Sequence, residues 1–181
     1  MSEVPHDPHE PPAPADEAAE AAEAAVPIDG RASLRAALQT WLDEAAQTRA
    51  RDLWWCDNDL SLWPVGERAW IEALGRWVGP GRRLTVLLAD DGPLQRQHPR
   101  WVTWRRTWGH LVELWVVEAE LIGDLRGWAL SPGRCAVEIL DPAIGRARWV
   151  RDPVALRAAL QQLQAWKERA RPGVAVHPLG L

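Results

Sequence analysis

The chain has 181 residues, of which 47% are apolar, and it contains 13 Trp but no Phe or Tyr. This length supports one domain with a substantial core, and the apolar content excludes a wholly disordered protein. No apolar run approaches the ~20 residues needed to cross a bilayer, so we expect no membrane-spanning helix. The net charge of −4 is uneven, because residues 1–30 carry eight acids and no Lys or Arg, which leaves 17 acids and 21 bases in the rest.

The first 30 residues differ in composition from the rest of the chain. They are rich in Pro, Ala and Glu and have almost no large apolar side chain, so we predict a disordered acidic tail over residues 1–30. We expect a single domain over residues 31–171 and a short C-terminal tail over residues 172–181. Cys56 and Cys135 are too few for a disulfide framework, and the N-terminus lacks the pattern of a secretory signal, so we expect a cytoplasmic protein.

In the first half of the domain, apolar periodicity predicts alternating helices and strands. These elements are a helix over residues 31–49, a strand over 53–56, a helix over 67–78, a strand over 84–89, a helix over 93–108 and a strand over 111–117. The second helix is ended by Gly79-Pro80-Gly81, which is typical of a helix stop. On a helical wheel the third helix has a Trp stripe on one side and most of its Arg on the other.

The second half of the domain is predicted to form an antiparallel ribbon of strands followed by a closing helix. Strands are predicted over residues 127–130, 135–140 and 147–150, because turn residues Ser131-Pro132-Gly133 and Asp141-Pro142 separate them. Asp152 and Pro153 form a helix start, with Asp as N-cap and Pro in the first turn.

The element order predicts an α/β fold. Strands that are apolar on both faces are typical of a sheet covered by helices, so we predict a mixed, mainly parallel sheet with helices on both faces, a C-terminal antiparallel hairpin and a closing helix. Most Trp of the predicted helices lie on core-facing stripes, so we interpret the tryptophan-rich composition as core packing: Trp41, Trp70, Trp77, Trp101, Trp104, Trp108 and Trp166. Trp63 and Trp149 lie in or near turns and are expected to be partly exposed.

Several segments together resemble one known family. They are residues 53–60 (LWWCDNDL), 83–90 (RLTVLLAD), 98–100 (HPR), 110–114 (HLVEL), and the closing stretches 151–153 and 163–169. These segments resemble a phospholipase D-like half-domain and, more narrowly, an uncharacterised bacterial family of that fold, some of whose members are joined to acetyltransferases. The resemblance covers roughly residues 31–170. It implies a phospholipase D-like fold, and it makes a homodimer a candidate assembly because half-domains of this kind commonly pair.

Catalytic members of the phospholipase D group use a His-x-Lys-x4-Asp motif, in which one His attacks phosphorus and a second His protonates the leaving group. The only Lys of this chain is Lys167, residue 165 is Ala, and no His has Lys two positions later. The hairpin expected to carry the motif, residues 127–140, has neither His nor Lys. We therefore expect a non-catalytic relative, a pseudoenzyme that works as a binding or protein-interaction module without a cofactor.

Acidic residues follow two neighbouring predicted strands. Asp57 and Asp59 come after the first strand, and Asp90 and Asp91 after the second. Ligands of open α/β sheets bind outside the carboxyl ends of the strands, and carboxylates there are typical ligands of Mg²⁺. These four residues are thus ligand or metal candidates. They support an alternative function, a divalent-metal-dependent phosphoryl or phosphodiester hydrolase, whereas turn and helix capping explains them without any ligand.

Three further residues are secondary candidates: His110, Arg96 and Arg100. His110 begins a predicted strand, where it could exchange a proton, but no nucleophile is predicted beside it. The arginines of residues 96–106 interleave in sequence with Trp, as in proteins that bind nucleic acids. Because the wheel separates the Arg from the Trp, we expect the Trp to pack on the sheet and the Arg to face water, and we do not expect nucleic acid as a partner. A protein partner is a candidate beside the homodimer.

Overall fold

The computed structural model describes residues 26–173, and within them the strands form one eight-stranded sheet. In chain order the elements are β1 (Pro27–Ile28), α1 (Arg31–Gln47), β2 (Asp52–Asp57), α2 (Arg68–Trp77), β3 (Arg83–Leu88), α3 (Gly92–Gln97), α4 (Pro99–Trp108), β4 (Val112–Val117), β5 (Gly127–Ser131), β6 (Cys135–Asp141), β7 (Arg146–Val150), α5 (Pro153–Glu168) and β8 (Ala170–Pro172). Short 3₁₀ turns at Gly109–Leu111 and Ala119–Asp124 flank β4.

The strand order across the sheet is β1-β7-β6-β5-β2-β3-β4-β8. β2, β3 and β4 run parallel to one another, and the other neighbouring pairs are antiparallel. The mixed α/β class is confirmed, and its antiparallel part is larger than predicted. The reason is that the ribbon β5–β7 pairs directly with β2 and extends the sheet, while β1 and β8 add antiparallel edges.

Helices cover both faces of the sheet, as the sequence predicts. The front face carries Leu53 and Trp55 and packs against the four helices α1 to α4. The back face carries Trp54 and Cys56 and packs against α5 alone. Alternate residues of β2 thus enter different cores, which explains why this strand is apolar at almost every position.

The Trp predictions are confirmed with two exceptions, Trp63 and Trp108. The Trp on the predicted helix stripes are buried, except Trp108, which is half-buried, and Trp149 is also half-buried. Trp63, expected to be partly exposed, is only 1% exposed. Its ring lies against Trp55 and Trp70, and its indole N–H donates to a buried carboxylate, so the turn that holds it folds inwards.

Other differences from the sequence prediction are local. The predicted helix over residues 93–108 is two helices, because Pro99 disfavours helical geometry at His98, whose φ and ψ are −124° and 69°. Residues 27–28, placed in the tail, pair with β7, and residues 170–172 pair with β4. Residues 1–25 of the predicted disordered N-terminal tail and residues 174–181 of the C-terminal tail lie outside the described residues. Between residues 26 and 173, no helix is long and apolar enough to cross a membrane.

Candidate functional site

Asp57, the first of the predicted strand-end residues, is buried at the end of β2. Its Oδ2 accepts a hydrogen bond from Trp63 Nε1 at 2.5 Å, and its Oδ1 accepts one from the Asn58 N–H at 2.6 Å. Desolvation by burial is the main cause that raises the pKa of Asp57 to about 6, and these two hydrogen bonds oppose the shift. Both oxygens therefore hold the local turn in shape.

Two of the other three carboxylates are also held by their own loops, and the third lies against a helix. Asp59 Oδ1 accepts from the Ser61 N–H at 2.9 Å, and Asp90 Oδ1 accepts from the Gly92 N–H at 2.8 Å. Asp91 is buried and interacts electrostatically with Arg105, which is buried as well.

The four residues share one edge of the sheet, as the strand order requires. The loops after β2 and β3 are joined, because Asn58 O accepts from the N–H groups of Ala89 and Asp90 at 3.0 and 2.9 Å. Among residues 26–173, however, no group of three or more His, Cys, Asp or Glu is placed so that it could hold a metal ion.

The secondary candidates lie apart from one another. His110 is exposed beside Trp108, at 6.1 Å between ring centroids, at the end of the sheet where β4 begins. Arg96 is exposed at the end of α3, and Arg100 donates to Gly66 O at 3.1 Å. The structure therefore does not join His110 or Arg100 to the strand-end acids, whereas the Arg96 guanidinium and Asp90 Oδ1 both lie beside Gly92.

A shallow groove of about 470 Å³ lies between α2 and α4. Ile71, Trp104 and Trp108 form its apolar floor, and Arg68 and Arg100 stand at its rim. Trp101 and Trp104 stack at 5.2 Å beneath it. Most of the Trp stripe of α4 is thus buried against the sheet, while Arg96, Arg100 and Arg106 are exposed, which is the separation that the helical wheel predicts.

A larger cleft of about 750 Å³ lies on the back face, between α5 and the ribbon β5–β7. Glu138 of β6 and Arg148 of β7 lie directly opposite each other in register, and Arg148 Nε is 2.7 Å from Glu138 Oε2. Glu138 is only 5% exposed. Trp128 and Trp166 also line the cleft and are buried. An ion pair between the buried Glu138 and the half-buried Arg148 thus lies beside two indole rings within an otherwise apolar layer.

Both signs of charge converge on this cleft. Asp124 and Arg126, from the segment before β5, join Glu138 and Arg148, and Gln162 of α5 adds an amide. The lining thus holds two carboxylates, two guanidinium groups and one amide. These groups can donate hydrogen bonds to a small polar ligand and accept hydrogen bonds from it. The Trp rings can cover the apolar surface of the ligand.

Glu138 and Arg148 were not singled out in the sequence. The available signal is a single Glu within the apolar run of β6, whose other residues at positions 135–139 are buried Cys, Ala, Val and Ile. A carboxylate at a buried strand position needs a partner, and Arg148 alternates with apolar residues in β7. The register of the two strands decides that they meet, and register is difficult to predict from sequence.

The only Lys of the chain lies in a second back-face cleft of about 600 Å³. Its ammonium group is 5.8 Å from the Trp54 ring and 5.1 Å from the Trp115 ring, and it forms an ion pair with Glu113. Cation–π contacts and the ion pair hold Lys167 in place. Both cysteines are buried, and desolvation raises the pKa of Cys135 to about 12 and that of Cys56 well above its ordinary value, so neither is a reactive thiolate.

No protein-family model matches the chain, and no curated protein matches it. Among solved structures, the chain is similar to TrmBL2, an archaeal chromatin protein with a novel mode of DNA binding, at a TM-score of 0.59 and 15% identity. The match covers 82% of this chain and 54% of that one, so the chain spans about half the length of TrmBL2. At this identity the likeness is one of fold.

The chain is also similar to Nuc, a phospholipase D family member from Salmonella typhimurium, at a TM-score of 0.47 and 9% identity. That match covers 75% of this chain and 90% of the other. Nuc belongs to the group that the sequence resemblance names.

Proposed function

We propose that the chain is a non-catalytic phospholipase D-like domain that works as a binding module, with its ligand site in the back-face cleft between α5 and the ribbon β5–β7. The observation that carries this proposal is the Glu138–Arg148 ion pair in that cleft. A pair with one buried member is weak support for stability, since desolvation of the Glu138 carboxylate offsets much of the attraction to the half-buried Arg148. A recognition role explains why the two charges are retained there.

The residues that line this cleft indicate which class of ligand it can bind. Two carboxylates and two guanidinium groups give a site that is neutral overall but strongly polar. A small zwitterionic molecule fits such a site, because its cationic group can bind Glu138 or Asp124 while its anionic group binds Arg148 or Arg126. The indole rings then exclude water from these contacts, which strengthens them.

Two observations support a binding role over catalysis. The motif that the phospholipase D group uses is missing, and the one Lys is engaged with Glu113 and two Trp rings. TrmBL2, which has a similar fold, is a chromatin protein that binds DNA, so a binding function has precedent in this fold.

The proposal is tested by ligand binding and by an activity screen on the same preparations. Melting temperatures are measured for wild type, Glu138→Gln and Arg148→Met with a panel of amino acids and other small zwitterions, and hits are confirmed by calorimetry. We expect at least one compound that stabilises wild type and binds each variant at least tenfold more weakly. Thr103→Ala, an exposed substitution in α4, is the matched control and binds as wild type does.

The alternative, a divalent-metal-dependent hydrolase that uses Asp57, Asp59, Asp90 and Asp91, predicts a different result. Phosphatase and phosphodiesterase substrates are offered with Mg²⁺ or Mn²⁺. Hydrolysis that disappears in both Asp57→Asn and Asp90→Asn would contradict a non-catalytic module and establish the alternative. The binding proposal predicts no turnover above background.

Pairing of two copies is part of the same proposal, since the resemblance implies it, and a protein partner is the other candidate. Multi-angle light scattering at increasing concentration tests the pairing. We expect a mass that rises towards twice that of the monomer, and a constant monomer mass up to high concentration would remove the homodimer.

A further inference from the structure

Arginines gather at the end of the sheet where the parallel strands β2 and β3 begin, opposite to the edge that carries the strand-end acids. The register places six of them there, and we call this set the arginine end: Arg49, Arg51, Arg82, Arg83, Arg134 and Arg151. The only Lys of the chain, Lys167, lies next to this end, where it shares Glu113 and a cleft with Arg83.

Backbone contacts fix the positions of these arginines. The Arg83 N–H donates to Arg51 O at 3.0 Å, so the starts of β2 and β3 are level. Arg82 Nη1 donates to Ala50 O at 2.8 Å, and Arg49 has a left-handed φ of 52° in the turn that leaves α1. Arg134 lies in the turn between β5 and β6, and Arg151 follows β7, which ends at the same edge.

Most of the positive charge at this end is not neutralised. Arg151 binds Glu44 through two hydrogen bonds of 3.0 and 2.8 Å, and Arg83 is 3.6 Å from Glu113. Within residues 26–173, no ion pair joins any of the other four arginines to a carboxylate: Arg49, Arg51, Arg82 and Arg134.

The neighbouring acids are largely engaged already. Asp43 pairs with Arg76 at 2.5 Å, Glu113 pairs with Lys167, and Asp152 caps α5 by accepting from the Ala155 N–H at 2.6 Å. Asp52, half-buried at the start of β2, and Glu168, which lines a cleft together with Arg83, are further carboxylates near this end. The arginine end therefore presents a net positive field to any anion that approaches it.

The spacing of the row matches a phosphate backbone. Arg151, Arg134, Arg51 and Arg83 stand at the ends of β7, β6, β2 and β3, and four strand spacings separate β7 from β3. Neighbouring strands are about 4.8 Å apart, so the row spans about 19 Å. Along a duplex, one strand carries a phosphate every ~3.4 Å of helix axis, so the row spans the axial rise of about six phosphates. Guanidinium groups also bind phosphate through two parallel hydrogen bonds.

We propose that the arginine end binds the phosphate backbone of nucleic acid without reading its sequence. This surface is separate from the arginines of α3 and α4, whose separation from the Trp stripe argues against nucleic acid there. It shares no residue with the cleft between α5 and the ribbon β5–β7. The whole-chain charge of −4 does not oppose the contact, because residues 1–25 hold seven of the acids and residues 26–173 carry 21 bases against 18 acids. Screening limits distant charges to about 8–10 Å at ordinary salt, so the local arginines dominate.

The experiment is fluorescence anisotropy with the full chain and labelled 20-nucleotide single strands and 20-base-pair duplexes of two unrelated sequences, from 50 to 200 mM salt. We expect the two sequences to bind equally and the logarithm of the binding constant to fall with the logarithm of salt at a slope of about −3 to −4. Four phosphate contacts, one for each arginine of this end that has no ion pair within residues 26–173, require such a slope. Arg51→Gln with Arg134→Gln should reduce that slope by about 2.

Matched variants decide whether position or total charge matters. Arg96→Gln with Arg146→Gln removes two exposed arginines at the other end and should retain the wild-type slope. Arg51→Lys with Arg134→Lys preserves the charge and should retain most of the slope, and it also shows that the two sites tolerate substitution. Melting temperatures of all three doubles are compared to verify folding.

Several results would overturn the proposal. They are the absence of binding at 50 mM salt, a slope near zero, equal losses in the two Gln doubles, or one sequence bound much more tightly than the other. Competition with poly-glutamate and with phosphatidylserine vesicles completes the test. If either competes as well as unlabelled duplex at equal charge, the surface serves acidic proteins or membranes and not nucleic acid.

Discussion

The two faces of the sheet are built in different ways, although they share the same strands. The front face is covered by four helices and holds nine of the 13 Trp, several of which touch one another around Trp55. The back face is covered by α5 alone and contains the Glu138–Arg148 pair and two clefts. The front face thus supplies the stability of the fold, while the thinly covered back face leaves polar groups within reach of a ligand.

The front face should show the largest effect on stability. Trp55 is fully buried, and its ring lies 5.3 to 5.7 Å from the rings of Trp63, Trp70 and Trp101. We expect Trp55→Ala to lower the free energy of unfolding by about 3–5 kcal/mol, measured by urea denaturation. Trp55→Phe should cost much less, because it retains a ring and removes an indole N–H that has no hydrogen-bond partner among the described residues. Equal losses in the two variants would mean that the indole itself is required.

Asp57, on the same face, should give a pH dependence of the next size. Burial raises its pKa from 3.8 to about 6, so the folded state holds the proton more tightly than the unfolded state. Stability should therefore fall as pH rises from about 4 to about 6 and stay level above, with a total change of about 3 kcal/mol. The measurement is the difference in unfolding free energy between wild type and Asp57→Asn across this range. Asp59→Asn serves as the control and should show the same fall of unfolding free energy with pH as wild type. A wild type whose unfolding free energy does not fall over this range would contradict the raised pKa of the buried Asp57 carboxyl.

The ion pair of the back face should respond to single and double substitution in opposite ways. Arg148→Met leaves Glu138 buried without its partner, and we expect a loss of about 2–3 kcal/mol. Glu138→Met with Arg148→Met removes both charges and should restore stability to within about 1 kcal/mol of wild type or exceed it. Chemical denaturation of the two single variants and the double forms a complete cycle. A double variant as unstable as the worse single would show that the pair is retained for stability.

The second back-face cleft should show the smallest effect. Lys167 is partly exposed, so its ion pair with Glu113 and its contacts with Trp54 and Trp115 are screened by solvent. We expect Lys167→Met to cost about 0.5–1 kcal/mol by urea denaturation. Lys167→Arg, which retains the cation over the rings, should lie closer to wild type. A loss above 2 kcal/mol would place this contact among the elements that hold the back face together.

The front face could be predicted from the sequence in more detail than the back face. Apolar periodicity locates α1, α2 and β2 to β4, and it identifies most Trp as core residues, since helical spacing directly reports the buried side. The placement of Asp57 and Asp90 at one sheet edge also follows, because parallel strands end together. The features that apolar periodicity does not predict depend on contacts between residues that lie far apart in the sequence. Trp63 turns inwards because Asp57 accepts its N–H, and β1 and β8 are too short to give a pattern.

The candidate site illustrates the same limit. Glu138 and Arg148 meet only because β6 and β7 pair in one particular register, and the cleft around them exists because α5 leaves part of the ribbon uncovered. Neither the register nor the angle of a helix on a sheet can be read from local composition. The break between α3 and α4 at His98 differs from these features, because a local residue, Pro99, causes it. The sequence prediction still misses it, because the apolar spacing continues on both sides of the break and resembles one helix.

The Trp side chains allow a direct test of where a ligand binds. Each indole N–H gives a signal in a ¹⁵N–¹H correlation spectrum, and the signals can be assigned by single Trp→Phe substitutions. Trp128 and Trp166 line the back-face cleft, whereas Trp104 and Trp108 line the groove between α2 and α4. With a small zwitterion that stabilises the protein, we predict that the signals of Trp128 and Trp166 shift and saturate together, while those of Trp104 and Trp108 do not move. Shifts confined to Trp104 and Trp108, or stabilisation without any movement of Trp128 and Trp166, would contradict the proposed binding site.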